Sequence, residues 1–342
     1  MHGDGKKIIQ MDMKNKNTKL GGCDMKKYCI GVDVGGTSVK LGLFYHNGTV
    51  LKKWEIPTRK DNNGANIIPD IAASIRSELV NEQIPLTQVS GAGMGVPGPT
   101  MSNGYVSRCV NLGWVDCNPA QELSNLLGIP VKAGNDANVA ALGEAWKGGA
   151  EGYEDVVMMT LGTGVGGGVI MNGKIVAGNR GLGGELGHII VNRDEPDHCN
   201  CGNKGCLEQY ASATGVVKIA KRLLAERYSE SAIRNVEPLS AKKVFDAAKQ
   251  KDGIAMEAVE TLGNYLGMAM SIVTLIIDPD VFVIGGGVSN AGKILIDTIE
   301  HYYKKYLTIS EKRAKIVLAS LGNDAGIYGA ARMVLDDTVV EE

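Results

Sequence analysis

DVGGTSVKLGLFYHNGTV, residues 33–50, and TLGTGVGGGVIMNGKIV, residues 160–176, follow one plan. In each, a strand ends in a short polar and glycine-rich turn, a second strand follows, and an Asn-Gly pair leads into a third. Asn47-Gly48 and Asn172-Gly173 are hairpin signals between the second and third strands of each segment. A chain that starts the same pattern twice reads as two strand-rich α/β halves, and two such halves make a two-lobed molecule with a cleft between the lobes.

Working outward from these hairpins, strands are expected at 28–34, 39–45 and 50–56. A helix follows at 67–80 with Ile71, Ile75 and Leu79 on one face, then a strand at 89–94. A helix at 120–127, a strand at 131–133 and a helix at 137–146 complete the first half. The second half opens with strands at 155–160, 166–171 and 175–176. A long apolar helix covers 256–277, with Val259, Leu262, Leu266, Ala269, Val273 and Ile276 in register, and the buried-type strand 281–284 follows it. The expected division is a small lobe over 28–147, a large lobe over 148–323, and a C-terminal helix in 324–342 that packs back on the small lobe. Residues 1–27 are polar and Lys-rich and are expected to be a disordered extension, with Met25 standing where the compact part could start.

The formal charge of −2 gives no electrostatic reason to expect nucleic acid or an anionic membrane as a partner. No apolar run approaches the roughly 20 residues that span a bilayer, and the first 27 residues lack a signal-peptide core, so a cytoplasmic protein is expected. Seven cysteines suit paired disulfides poorly, and Cys199, Cys201 and Cys206 fall within eight residues. That pattern fits a thiolate cluster in a reducing compartment.

The turns carry chemistry. In Asp33-Val34-Gly35-Gly36-Thr37 the glycines let backbone amides face a common anion, Thr37 adds a hydroxyl, and Asp33 is placed to hold a hydrated Mg²⁺. Leu161-Gly162-Thr163-Gly164 offers the same from the other half. Neither loop has Walker A spacing or leads into a helix. Gly285, Gly286 and Gly287 follow the strand at 281–284, at the strand end where open α/β sheets bind ligands. The spacing Cys199-x-Cys201-x4-Cys206 suits a closed structural zinc site, and by spacing alone the fourth ligand is either His188 or His198. Read alone, Asn135-Asp136 is an ordinary helix cap, and Glu185 and Glu208 are ordinary surface charges.

Taken together, DVGGTSVKLGLF, GVPGP (95–99), NLGW (111–114), GNDANVAALGE (134–144), TLGTGVGGG, GGELGH (183–188), CNCGNKGCLEQYASATG (199–215) and LGNDAGIYGAA (321–331) resemble the ROK family of sugar kinases and repressors. Within it they are most similar to the glucokinases of low-GC Gram-positive bacteria. The resemblance runs in order from Tyr28 to about Leu335. It implies an actin-like, hexokinase-type two-lobed fold with an inserted zinc loop at 188–206. It implies that ATP with Mg²⁺ lies across Asp33, Gly35, Gly36, Thr37 and Lys40 on one side and Gly162, Thr163 and Gly164 on the other, with Gly285, Gly286 and Gly287 near the nucleoside. It makes Asp136 the base and puts the sugar against Asn135, Asp136, Glu185, His188 and Glu208. His188 is the histidine it selects to join Cys199, Cys201 and Cys206 on one Zn²⁺.

The implied reaction is transfer of the γ-phosphate of ATP to the 6-hydroxyl of glucose at the entry to glycolysis, by a homo-oligomer (a dimer or a dimer of dimers). Kinases of fructose, N-acetylmannosamine or allose share these motifs, and polyphosphate is a second candidate donor. A sugar-responsive regulator of the same family would need a DNA-reading module, for which 27 residues are too few.

Overall fold

The computed structural model describes residues 26–335. The expected extension therefore lies almost wholly outside the described residues, as do residues 336–342.

The chain opens with strands β1 (Tyr28–Val34), β2 (Ser38–Tyr45) and β3 (Val50–Pro57), a distorted turn α1 (Asp61–Gly64) and helix α2 (Ile67–Asn81). Strand β4 (Val89–Val96), the hairpin β5 (Val106–Cys109) and β6 (Trp114–Cys117), helix α3 (Pro119–Leu127), strand β7 (Val131–Asn135) and helix α4 (Asp136–Lys147) follow. The second half starts with β8 (Val156–Leu161), β9 (Val165–Met171) and β10 (Lys174–Ile175), and continues with α5 (Glu208–Ala211), α6 (Ala213–Glu226), α7 (Ala241–Lys249) and α8 (Gly253–Ile277). It closes with β11 (Val281–Gly285), α9 (Lys293–Tyr306), β12 (Lys315–Leu318) and α10 (Ala325–Met333).

The duplication is visible in the sheets. One runs β3-β2-β1-β4-β7 and the other β10-β9-β8-β11-β12. Each is a three-stranded antiparallel meander continued by two parallel strands, so β8 to β12 repeat β1 to β4 and β7 one for one. The repeated hairpins of the sequence are the seeds of the two sheets.

Local chemistry fixes the helices. Ile67, Ile71, Ile75 and Leu79 recur at helical spacing and are the buried face of α2. Asn118 caps α3 by accepting from the Gln121 amide, Pro119 supplies the fixed φ of the first turn, and Gly128 takes the left-handed turn that ends it. Helix α8 departs from the expectation that nothing approaches bilayer length: it is 25 residues long and apolar enough to cross a membrane. Its Leu262, Leu266, Ala269 and Met270 are instead buried against α6, α7, α9 and the second sheet, where they form the core of that lobe.

Helices α4 and α10 lie between the sheets. A Cβ at Gly143 would stand 2.2 Å from Ala325 O, and one at Gly329 would stand 1.7 Å from Val139 O, so the two helices touch backbone to backbone. Val139, Leu142, Ala330 and Met333 pack with Val156, Met158, Val281 and Val283 of the second sheet, while Ile327, Ala331 and Val334 pack on Cys29 and Phe44 of the first. Asp136, at the start of α4, is thereby carried at the junction of the lobes.

Candidate active site

A cleft of about 600 Å³ opens at this junction. Its wall contains Asp33 and Lys40 from the first hairpin, Asp136 from α4, Thr160 and Gly166 from the second hairpin, Gly286 and Gly287, and Ser289 and Asn290 beyond them. Five of the candidates read from the sequence thus share one surface. Gly285 does not reach it: it is the last, buried residue of β11. Gly286 turns the chain at φ +79°, and a Cβ there would lie 2.6 Å from Leu161 O, so the third glycine loop abuts the second.

Asp33 ends β1 opposite Lys40. Burial pushes its carboxyl up to about 6, the charge of Asp136 adds to the rise, and Lys40 opposes it. Lys40 Nζ donates to Asn323 O at 3.2 Å. Asp136 is held above its ordinary value, first by burial and then by the charge of Glu185, against the lowering effect of the hydrogen bond its Oδ1 accepts from the Ala137 amide at 2.8 Å. Asn135 caps α4 by accepting from the amides of Ala137 (3.0 Å) and Asn138 (3.1 Å), and its Nδ2 donates to Gly98 O. The cap therefore fixes both candidate side chains at the helix N-terminus.

Both glycine turns spend their first amide internally. Gly35 N donates to Ser38 O at 3.0 Å and Gly162 N to Gly164 O at 3.0 Å. Gly36, Thr37 and Thr163 face outward at these turns, and Thr37 and Thr163 are exposed. The three residues of each turn lie outside the wall of the cleft itself.

The second group of candidates surrounds the cysteines. The ligand atoms of His188, Cys199, Cys201 and Cys206 lie within 4.8 Å of one another. Cys201 Sγ and Cys206 Sγ are 3.6 Å apart, and Cys199 Sγ is 3.9 Å from His188 Nδ1. A tetrahedral ion with Zn–S bonds of about 2.3 Å needs sulfurs roughly 3.8 Å apart, so the donor set fits one. His198 stands apart and shares a 3.0 Å hydrogen bond with Gly202 O. The loop turns at Gly205, where φ is +76° and a Cβ would come within 1.6 Å of Asn192 O.

His188 presents its other nitrogen, Nε2, to Glu185 Oε2 at 3.9 Å. Glu208 Oε1 is 2.8 Å from Cys199 Sγ, and a Cβ added to Gly164 would lie 2.4 Å from Glu208 Oε2. Asp136, Glu185, His188, Glu208 and Gly164 therefore form a connected series that runs from the start of α4, past the cysteines, to the second glycine turn.

Some contributing residues lack a sequence signal of this kind. The buried Asn138 donates to Gly183 O at 2.8 Å and accepts from Val169 N at 3.1 Å, tying the segment that carries Glu185 to α4 and β9. Glu195, buried behind the cysteine loop, accepts from Tyr210 Oη (2.5 Å), Lys218 (3.1 Å) and Arg222 (2.6 and 2.9 Å), and these partners hold its carboxyl far below the usual range.

The family model described as the ROK family matches residues 29–337. A glucokinase of Halalkalibacterium halodurans is 40% identical over 90% of this chain and 95% of its own. A glucokinase of Thermotoga maritima is 37% identical over 89% and 96%. Among solved structures, a ROK family glucokinase from Streptomyces griseus, in complex with glucose and AMPPNP, superposes with a TM-score of 0.69 at 32% identity, over 90% of this chain and 98% of that one.

Proposed function

The chain belongs to the ROK family, and on that premise we propose that it is a glucokinase, an ATP-dependent sugar kinase that transfers the γ-phosphate of ATP to the 6-hydroxyl of D-glucose. The observation that carries the reading is the single cleft that joins Asp33 and Lys40 to Asp136 and to Gly286 and Gly287. One wall offers a carboxylate and an ammonium to a metal-bound polyphosphate. The next offers a buried carboxylate to a hydroxyl. The third offers bare backbone to a nucleoside.

In this reading glucose is held by Asn135, Asp136, Glu185, His188 and Glu208. Asp136 accepts the proton of the attacking hydroxyl, and the burial that raises its pKa makes it a better acceptor than an exposed aspartate. Phosphoryl transfer has a loose transition state, so alignment of hydroxyl and phosphorus contributes most of the acceleration. Gly36, Thr37, Thr163 and Gly164 bracket the phosphates from the two lobes. Lys40 lies at the cleft wall, with its ammonium steadied by Asn323 O. Asp33 would hold the Mg²⁺ that accompanies ATP, and the ion would supply charge neutralisation at the phosphates. Cys199, Cys201, Cys206 and His188 would hold Zn²⁺, and that bond would fix which imidazole nitrogen of His188 is left to face the sugar. A thiolate site of this kind suits a reducing compartment, the cytoplasm, and the working form is a homo-oligomer.

A coupled assay of the purified chain with ATP or polyphosphate, over glucose, fructose, N-acetylmannosamine and allose, tests the reading. Glucose with ATP is expected to give the highest kcat/KM. A higher value for another sugar or for polyphosphate would replace the named substrate, and no turnover with any pair would end the kinase reading.

A further inference from the structure

Glu144 lies near the C-terminal end of α4, the helix that Asp136 begins, and its side chain is completely buried. A buried carboxylate is costly unless its oxygens are satisfied. Here the donors are backbone amides: Gly149 N at 2.8 Å and Ser320 N at 3.0 Å on Oε2, and Leu321 N at 2.9 Å on Oε1.

Those amides belong to two separate segments. Gly149 lies between α4 and β8, where the chain first passes into the second sheet. Ser320 and Leu321 lie between β12 and α10, where it returns to the first. The two crossings also touch directly, since a Cβ at Gly149 would stand 2.2 Å from Leu318 O. The returning segment then lines the cleft through Ala319, Gly322 and Asn323, and Asn323 O receives the Lys40 ammonium. One carboxylate therefore joins both passages between the lobes, the catalytic helix and the strip of backbone under the nucleotide side of the cleft.

We infer that Glu144 is a positioning residue of the phosphoryl-transfer reaction, a clamp that makes the two interlobe crossings and the catalytic helix move as one body when the cleft closes. It touches neither substrate. It acts by holding the segment at 319–323, and with it the contact of Lys40, in fixed register to Asp136. Charge matters to the role: a carboxylate accepts all three amides with charge-assisted bonds, whereas an amide in its place turns an N–H₂ group toward N–H donors.

The inference rests on the kinase reading, so the parent chain is assayed first; if it has no sugar kinase turnover, that reading fails whatever Glu144 does. In an active parent, Glu144→Gln is expected to raise KM for ATP about tenfold and to lower kcat, as hinge substitutions do together. The sugar dissociation constant, measured without nucleotide, should stay within about twofold, because Asn135, Asp136 and Asn138 are fixed by their own hydrogen bonds at the opposite end of α4 and, among the described residues, the cysteine loop makes no hydrogen bond to Glu144. A variant with a lower melting temperature but unchanged kcat and ATP KM would make Glu144 a merely structural acid and overturn the inference, as would equal losses of sugar and ATP affinity. If the variant does not fold, hydrogen exchange on the parent decides. Peptides covering 145–152 and 317–323 are expected to gain protection together when a non-hydrolysable ATP analogue and glucose bind, and protection of one without the other would overturn the clamp.

Discussion

Glu208 Oε1 lies 2.8 Å from Cys199 Sγ, and the same carboxylate presses its other oxygen toward Gly164. The cysteine loop and the second glycine turn are thus back to back, with one side chain between them. In sequence they are separate motifs, and the natural expectation is that disturbing one spares the other. The geometry gives the cysteine loop, proposed to face the sugar, and the glycine turn, proposed to face the phosphates, one strut in common.

Gly164→Ala tests that strut. The added methyl would stand 2.4 Å from Glu208 Oε2, so the carboxylate must move. KM is expected to rise for both glucose and ATP, by about tenfold each, since positional errors of this order are expensive. Metal content should not change, because no cysteine ligand is displaced. A rise confined to ATP would show that Glu208 is not shared.

Asp136→Asn keeps size and the Ala137 hydrogen bond but removes the proton acceptor. Turnover is expected to fall by about 10²- to 10⁴-fold, with the glucose dissociation constant within roughly tenfold of the parent. Turnover within tenfold of the parent would remove Asp136 from the role of base.

The fold was largely legible because its signals are local. Asn47-Gly48 and Asn172-Gly173 mark the hairpins, and the restart at 160–176 foretells a second sheet in the order of the first. The hairpin of β5 and β6 was not foreseen, since Ser107, Arg108, Val115 and Asp116 at its centre are all exposed and give no alternation. Helix α7 is masked by its lysines in the same way. At the site, residue types and motif resemblance named the carboxylates, but long-range packing sets their electrostatics. Asp33 owes its burial in part to α10, whose Gly326 sits against its carboxyl from almost three hundred residues away. Glu144 is invisible for that same reason: two of its three donors, Ser320 and Leu321, are far away in the chain.

That burial gives Asp33 a stability signature. Its folded value of about 6 lies above the ordinary 3.8, so in metal-free and nucleotide-free protein the ionised carboxyl opposes folding. A rise of this size corresponds to roughly 3 kcal/mol. The cost is complete above pH 6, shrinks as the folded carboxyl takes up its proton between about 6 and 4, and is gone below the unfolded value. Asp33→Asn should therefore melt several degrees higher than the parent near pH 7.5, and the difference should vanish by about pH 4. It should also lose ATP-dependent turnover. Equal melting temperatures at pH 7.5 would mean that Asp33 is not strained by burial.

The cysteine loop is supported twice, and the two supports can be separated. Glu195, with Tyr210, Lys218 and Arg222, holds the loop against α5 and α6 without any metal. Cys199, Cys201, Cys206 and His188 close its other end around a space suited to one tetrahedral ion. Cys201→Ala removes the exposed cysteine of the set and leaves the Glu195 network intact, so the chain should remain folded. Elemental analysis is expected to find about one zinc per parent chain, from the closed four-ligand rule, and close to none in the variant. Without the ion, His188 is no longer oriented and Glu208 loses the fixed sulfur beside it. Glucose affinity should then fall about a hundredfold, the cost of a displacement near 1 Å in a positioning group. ATP affinity should fall less, because Glu208 reaches Gly164 but not the Asp33 wall of the cleft. A metal-free variant that binds glucose as the parent does would separate the cysteine site from the sugar site altogether.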